Sequence, residues 1–401
     1  MTSKNIFNKN FVLLWIGMLV SMIGTYLLLL SLSATLYSKR NSTILAGSVF
    51  AAQWIPLIFA YPLIKSLCNK YFPNRLLPLT EILSGFCSLA IGFLPESIHF
   101  YQYCVFAFLI IRGFLEAVMK SSRFIALKVY TPESVLEKSS SLFNSSFYLG
   151  SGLGGLVGVG LINYFSLKTI CIIDFTSFLI SAFCYSQLPK NVSVDPQNKS
   201  ASPAMRQIIK IVKQKNILYN FIYLVVGTSI LQGFHTFART VIPMGQLGLG
   251  KVGVTYFQII TSIALLCAVL FVYKFLCKIE GLYSHPFFLL VLANFSMLFT
   301  VFPKNLILSL ISYFLFLFLF EVLYTRLMNL IVLSTEKDEY TNLIPTINSL
   351  IMFLMVIIVL GGGFLSDTYG IVVISIILFC INMAIGLSAF LLSKIPRPLD
   401  E

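Results

Sequence analysis

Twelve apolar runs, each close to the length that crosses a bilayer, fill this chain and leave mostly short polar gaps between them. The hydrocarbon core of a membrane is about 30 Å thick and a helix rises about 1.5 Å per residue, so one crossing takes about 20 mostly apolar residues. Stretches that meet this requirement lie at 12–37, 44–68, 75–95, 101–127, 139–164, 168–188, 216–240, 251–277, 284–302, 305–333, 341–366 and 370–393. The first run exceeds the core of a cleavable signal and no small-residue cleavage site follows it, so it reads as a retained span. The expectation is an all-α membrane protein of 12 transmembrane helices.

Composition agrees and excludes the soluble classes. Of 401 residues 58% are hydrophobic and only 11% charged, whereas a soluble fold of this size needs about a quarter of its residues charged to coat its surface. The net charge of +13 does not signal nucleic acid, because the basic residues sit in gaps between apolar runs and form no basic face. The eight cysteines have neither metal-ligand nor redox spacing and read as small apolar side chains. There is no P-loop, HExxH, GxSxG or His/Cys cluster, so neither an enzyme, a metal site nor a cofactor is expected.

One gap is long and polar: 189–215, containing PKNVSVDPQNKSASP and then Arg206, Lys210, Lys213 and Lys215. It divides the chain into six-helix bundles at 1–188 and 216–401. Its end, MRQIIKIVKQK, mixes apolar residues at helical spacing with cations and reads as an amphipathic helix on the membrane surface. With both termini and this linker on one side, that side carries 21 Lys and Arg against six on the other. The positive-inside tendency then places both termini and the linker in the cytoplasm.

The halves echo one another. Lys9-Asn10-Phe11 and Lys215-Asn216-Ile217 open runs 1 and 7, Arg123 and Arg326 close runs 4 and 10, and Asn144 and Asn348 sit in runs 5 and 11, at offsets of 203 to 206 residues. Because six is even, both halves enter the membrane from the same face, which makes the repeat parallel, about a pseudo-two-fold axis along the membrane normal.

These residues resemble the major facilitator superfamily, specifically its small-molecule exporter branch of macrolide-efflux and enterobactin-exporter-like proteins. The likeness is carried by Asn10-Phe11 with Leu14-Trp15-Ile16-Gly17, Ser21 and Gly24; by Arg123 to Pro132 with Glu133, Leu136 and Asn144; and by Asp174 with Ser177-Phe178-Leu179. Gly150-Ser151-Gly152-Leu153-Gly154-Gly155 is similar to the family's helix 5 antiporter motif GPxxGG, with Ser151 in place of proline. Gly150, Gly154 and Gly158 recur every four residues, so one helix face lacks side chains and lets another helix approach; tight packing and a role in export direction both fit. The family's gate loop GxLaDRxxRRxLL aligns on 65–77 in degraded form, with Lys65 for glycine, Asn69 for aspartate, Lys70 for arginine and Arg75 retained. In the family that aspartate is thought to hold a cytoplasmic gate by charged contacts, which Asn69 cannot make. Lys65, Lys70 and Arg75 then serve as topology charges.

A charge near the bilayer centre is costly and usually faces a partner or a wet cavity. Arg112 lies about 16 Å along the fourth run, close to the midplane, and Glu116 shares its helix face four residues on. The pair reads either as a cavity site for substrate and proton or as a self-neutralising ion pair. Glu321, within FLFLFEVLYTR of the tenth run, is a carboxylate among phenylalanines near Thr325 and a second coupling candidate. Asp174 and Glu81 lie nearer the membrane boundaries, Asp174 gaining support from the family match. His235 reads as a packed histidine, while Lys120, Arg123, Lys128 and Arg326 are expected to snorkel.

The resemblance implies a monomeric proton-coupled exporter of a small drug-like or siderophore-like compound in a bacterial inner membrane, whose partners are that substrate, protons and lipid. Uptake of a metabolite or ferric siderophore, or a transport-inactive sensor or scaffold with the same fold, remain open alternatives.

Overall fold

The computed structural model describes residues 8–95, 100–131, 136–189, 215–274, 286–333 and 337–394. The expected surface helix over 205–214, Glu133 and Cys277 lie outside them, as do the side chains of Asn69 and Asn144. The chain forms two compact units. One comprises Met1–Arg40, Ser48–Asn198 and Leu249–Ser262, and the other Asn41–Gly47, Lys199–Gly248 and Ile263–Glu401. The division differs from the sequence halves at residues 41–47 and 249–262, which change sides.

In the first unit, α1 (Lys9–Arg40), α5 (Pro73–Phe93), α6 (Tyr101–Tyr130), α7 (Leu136–Leu161) and α8 (Leu167–Ser186) are long helices. The second apolar run does not form one helix. It is divided into α2 (Thr43–Ala51), α3 (Ile55–Phe59) and α4 (Tyr61–Lys70), because Pro56 and Pro62 each lack an N–H and occupy the first turns of α3 and α4. The joint between α3 and α4 is Ala60, at φ −100° and ψ 10°. α1 packs on α7 and α8, and α5 on α6 and α8. Their shared core includes Phe11, Leu14, Met119, Phe143, Phe178 and Tyr185.

In the second unit, α9 (Lys215–Ile222) runs through a π turn at Tyr223–Gly227 into α10 (Thr228–Val241), and a second π turn follows at Ile242–Gln246. Pro243 lies in the latter, where a missing donor favours a break in the α-helical ladder. α11 (Gly250–Lys274), α12 (Pro286–Phe299), α13 (Leu306–Leu333), α14 (Lys337–Tyr369) and α15 (Ile371–Lys394) complete the described helices, with α11 entering this unit at Ile263. α12 packs on α13 and α15, and α10 on α14. Phe234, Phe237, Phe316 and Tyr313 form an edge-to-face aromatic core between α10 and α13.

Among the described residues, eight helical segments are long and apolar enough to cross a membrane, including α1, α5, α8 and the continuous Leu218–Gln246. The 30-residue α6 is long enough as well, but it carries Arg112, Glu116, Lys120 and Arg123. Lipid is as apolar as leucine, so helices in a membrane are held by close packing and polar contacts more than by apolar burial. In the first unit those polar contacts converge on α6.

Candidate functional site

Arg112 and Arg123 are eleven residues apart, three helical turns and about 20° of rotation, so both leave the same face of α6 about 16 Å apart along its axis. That face meets α1, α5 and α8, and each arginine collects polar groups from all three neighbours.

At the Arg112 level the arginine is 1% exposed. Its Nη1 lies 2.7 Å from Asp174 Oδ2 on α8 and donates to Ser88 Oγ on α5 at 2.9 Å. Nη2 donates to Thr25 Oγ1 on α1 at 2.8 Å. Ser88 in turn donates to Asp174 Oδ2 at 2.7 Å, and the guanidinium carbon lies 4.9 Å from the Phe178 ring centre. Asp174 is wholly buried, yet its Oδ1 has no hydrogen-bond partner. α1 comes so close to it at Gly24 that a Cβ there would stand 2.7 Å from that oxygen.

At the Arg123 level, Nη2 meets Glu81 Oε1 on α5 at 2.6 Å and Nη1 meets Glu116 Oε1 on α6 itself at 3.1 Å. Nε donates to Tyr185 Oη on α8 at 3.1 Å, and Ser21 on α1 donates to Glu81 Oε2 at 3.2 Å. Glu81 is fully enclosed, whereas the Glu116 side chain is 27% exposed. Five ionic groups therefore occupy two levels: one arginine bonded to one carboxylate, and one arginine shared by a buried and a partly open carboxylate.

The candidates from sequence take these places with different partners. Arg112 and Glu116 share a face, but Arg112 reaches across to Asp174 while Glu116 reaches forward to Arg123. Arg123 does not snorkel: tertiary neighbours from three helices enclose it, leaving it 1% exposed. Glu81, the weakest carboxylate from sequence, is among the most buried. The eleven-residue spacing of the two arginines was the available signal for their common role; their partners on α5 and α8 left none.

Glu321 belongs to the second unit. It is 7% exposed, and Thr325 Oγ1 donates to its Oε1 at 3.4 Å. His235 is buried, its Nδ1 lying 2.7 Å from Tyr313 Oη. In the gate-loop segment, Lys70 and Arg75 are exposed, and Lys65 is half-buried. The glycines of α7 face two neighbours: a Cβ at Gly150 or Gly154 would meet the Leu19 or Ile23 carbonyl oxygen of α1 at 2.9 or 2.7 Å. At Gly155 and Gly158 it would meet Gln258 and Thr255, at 3.2 and 2.7 Å. The described cysteines are free thiols.

The sequence matches the family model described as Major Facilitator Superfamily over residues 14–349. None of the curated proteins matches it. Among solved structures, a variant of the peptide transporter POT has a TM-score of 0.76 at 13% identity, covering 96% of this chain and 94% of that one. The nucleoside transporter NupG has a TM-score of 0.73 at 12% identity, over 96% of this chain and 100% of its own. A POT family transporter in complex with a thioalcohol-conjugated peptide has a TM-score of 0.74 at 12% identity, over 96% of each chain. At these identities the likeness is one of fold.

Proposed function

The chain belongs to the major facilitator superfamily, and from that premise we propose a proton-coupled exporter of a small drug-like or siderophore-like compound. Membership places it among multi-pass membrane transporters rather than enzymes. The proposed machine has two six-helix bundles, 1–188 and 216–401, related by a parallel two-fold repeat and joined by a cytoplasmic linker at 189–215. It works as a monomer in a bacterial inner membrane with both termini cytoplasmic, exposing its site to one side and then the other.

The observation that carries the proton is Asp174: one oxygen is fixed by Arg112 and Ser88, and the other is buried without a donor. A proton arriving at Oδ1 turns that carboxylate into a neutral acid and removes the charge that holds Arg112 across the bundle. The guanidinium is then free to exchange Asp174 for another acceptor, such as an oxygen of the substrate. Glu116, partly open on the same face of α6, and Glu321 in the second unit are the further coupling groups. The glycine face of α7 is assigned to the direction of export.

The test is efflux from cells expressing the chain, with ethidium as the drug-like probe and a catecholate siderophore as the other. Efflux of at least one probe should slow when an uncoupler collapses the proton gradient, and Asp174→Asn should remove that dependence. Efflux unchanged by the uncoupler overturns proton coupling; accumulation of the probe in place of its loss overturns export.

A further inference from the structure

The first turn of α2 is completed by a residue more than 320 positions away. A helix leaves its first four N–H groups without intrahelical acceptors, so each has to find one elsewhere. In α2, Ala46 N–H reaches Ser42 O at 3.2 Å, the preceding residue's carbonyl, and Leu45 N–H reaches Ser42 Oγ at 3.4 Å. The other two go to Asp367 in the last turn of α14: Thr43 N–H donates to Oδ1, and Ile44 N–H to Oδ2 at 3.4 Å. Ser42 Oγ also donates to Asp367 Oδ2, at 2.7 Å.

Three other helices are capped by a local side chain. Asn8 accepts from Phe11 N–H at the start of α1, Ser166 from Thr169 N–H at α8, and Asn305 from Ile307 N–H at α13. At α2 the backbones also touch without intervening side chains, since a Cβ on Gly363 would stand 2.8 Å from Ile44 Cα. Ser366 Oγ donates to Thr43 Oγ1 at 3.3 Å. These contacts draw Asn41–Gly47 into the second unit, although the rest of the second apolar run belongs to the first.

We propose that Asp367 is a releasable latch that fastens the start of α2 to the end of α14 in one of the two access states of the transport cycle. The inference rests on the alternating-access part of the function proposed above. The joint suits reversible use for two reasons. A carboxylate at a helix N-terminus is favoured by the helix dipole as well as by hydrogen bonds, so the closed form is stabilised without a buried charge. Asp367 is itself exposed, so on release its carboxylate returns to water rather than staying as a dry, unpaired charge.

The experiment is hydrogen–deuterium exchange on the full chain in nanodiscs, comparing wild type with Asp367→Ala and Asp367→Asn. Loss of a cap of this kind shifts a local equilibrium by about tenfold, so exchange at 41–47 should rise by about that factor in Asp367→Ala. A latch also makes a reciprocal prediction. Releasing one end of the α2–α4 span favours the opposite access state, so exchange at its other end, residues 65–76, should fall. Asp367→Asn keeps an acceptor and should move both segments the same way by less; it gives the reading if the alanine variant fails to insert. A rise at 41–47 with no change at 65–76 makes Asp367 a static cap and overturns the latch, as does a rise at both ends. Efflux insensitive to an uncoupler, with the opposed exchange changes intact, would remove the proton from the mechanism and keep the latch.

Discussion

The first unit places formal charge in its interior, whereas the polar contacts described between helices of the second are largely neutral. Arg112 and Arg123 tie α6 to α1, α5 and α8 through Asp174, Glu81 and Glu116. In the second unit, Asn382 on α15 donates to Asn294 Oδ1 on α12 at 2.9 Å and to the Gly227 carbonyl in the π turn at 3.2 Å. Tyr223 Oη donates to the Gly386 carbonyl at 3.3 Å, and His235 pairs with Tyr313. The two solutions differ in what happens when one member is lost. A neutral donor without its acceptor forfeits one hydrogen bond, whereas a buried ion without its counter-ion remains a charge in a medium of low polarity. The charged contacts of the first unit are therefore interdependent, and the neutral contacts named in the second are separable.

The largest effect that could break this contrast is at Arg123. Arg123→Met leaves Glu81 buried without its cation and should lower stability by about 3–5 kcal/mol. The check is thermal unfolding of the purified chain in nanodiscs. Adding Glu81→Gln to the same chain should recover much of the loss. If Arg123→Met costs no more than a neutral substitution in the second unit, the two interiors are alike and the contrast fails.

Next in size is the coupling between Arg112 and Asp174. Arg112→Met and Asp174→Asn, made singly and together, should depart from additivity by about 0.5–3 kcal/mol, with the double variant more stable than the sum of the singles implies. Additive values would mean that Ser88 and Thr25 hold Arg112 without help from the carboxylate. A smaller loss is expected from Asn382→Ala, about 1–2 kcal/mol, because Asn294 Oδ1 and the Gly227 carbonyl each lose a neutral donor.

The same contrast separates what could be read in the sequence from what could not. Apolar length located the helices, since a span has to match the bilayer wherever it sits, and α1, α5, α8, α13 and α15 lie where the runs lie. The division of the second run was also written locally, in Pro56 and Pro62, but hydropathy averages over prolines and hides such breaks. Arg112, Glu116 and Asp174 stood out because charge inside an apolar run is rare. Their partners did not, because an arginine side chain is long enough to reach the next helix, and the choice among α5, α8 and its own helix depends on packing. Arg123 shows this most clearly: seen along the chain it lies near a helix end among other cations, and in three dimensions it is closed in by Ser21, Glu81 and Tyr185. The cap of α2 by Asp367 links residues 41–47 to α14, a distance along the chain that no local pattern spans.

The smallest expected effect sharpens the comparison most. Replacing both members of a hydrogen-bonded pair by apolar groups of similar shape can be nearly neutral, because no buried polar atom is left behind. His235→Leu with Tyr313→Phe should therefore change stability by only about 0.5 kcal/mol and keep the aromatic contact of ring 313 with Phe316. The matched replacement in the first unit, Arg112→Met with Asp174→Leu, should likewise leave a chain that inserts and folds, since swapping a buried ion pair for well-packed apolar residues is often neutral or stabilising. It should nonetheless abolish uncoupler-sensitive efflux of the probe, while the His235–Tyr313 double variant retains it. Folded stability and transport then part company in one unit and stay together in the other. If both double variants still transport, the buried charges of the first unit are fasteners like the amides of the second, and the proton has to be sought at Glu116 or Glu321.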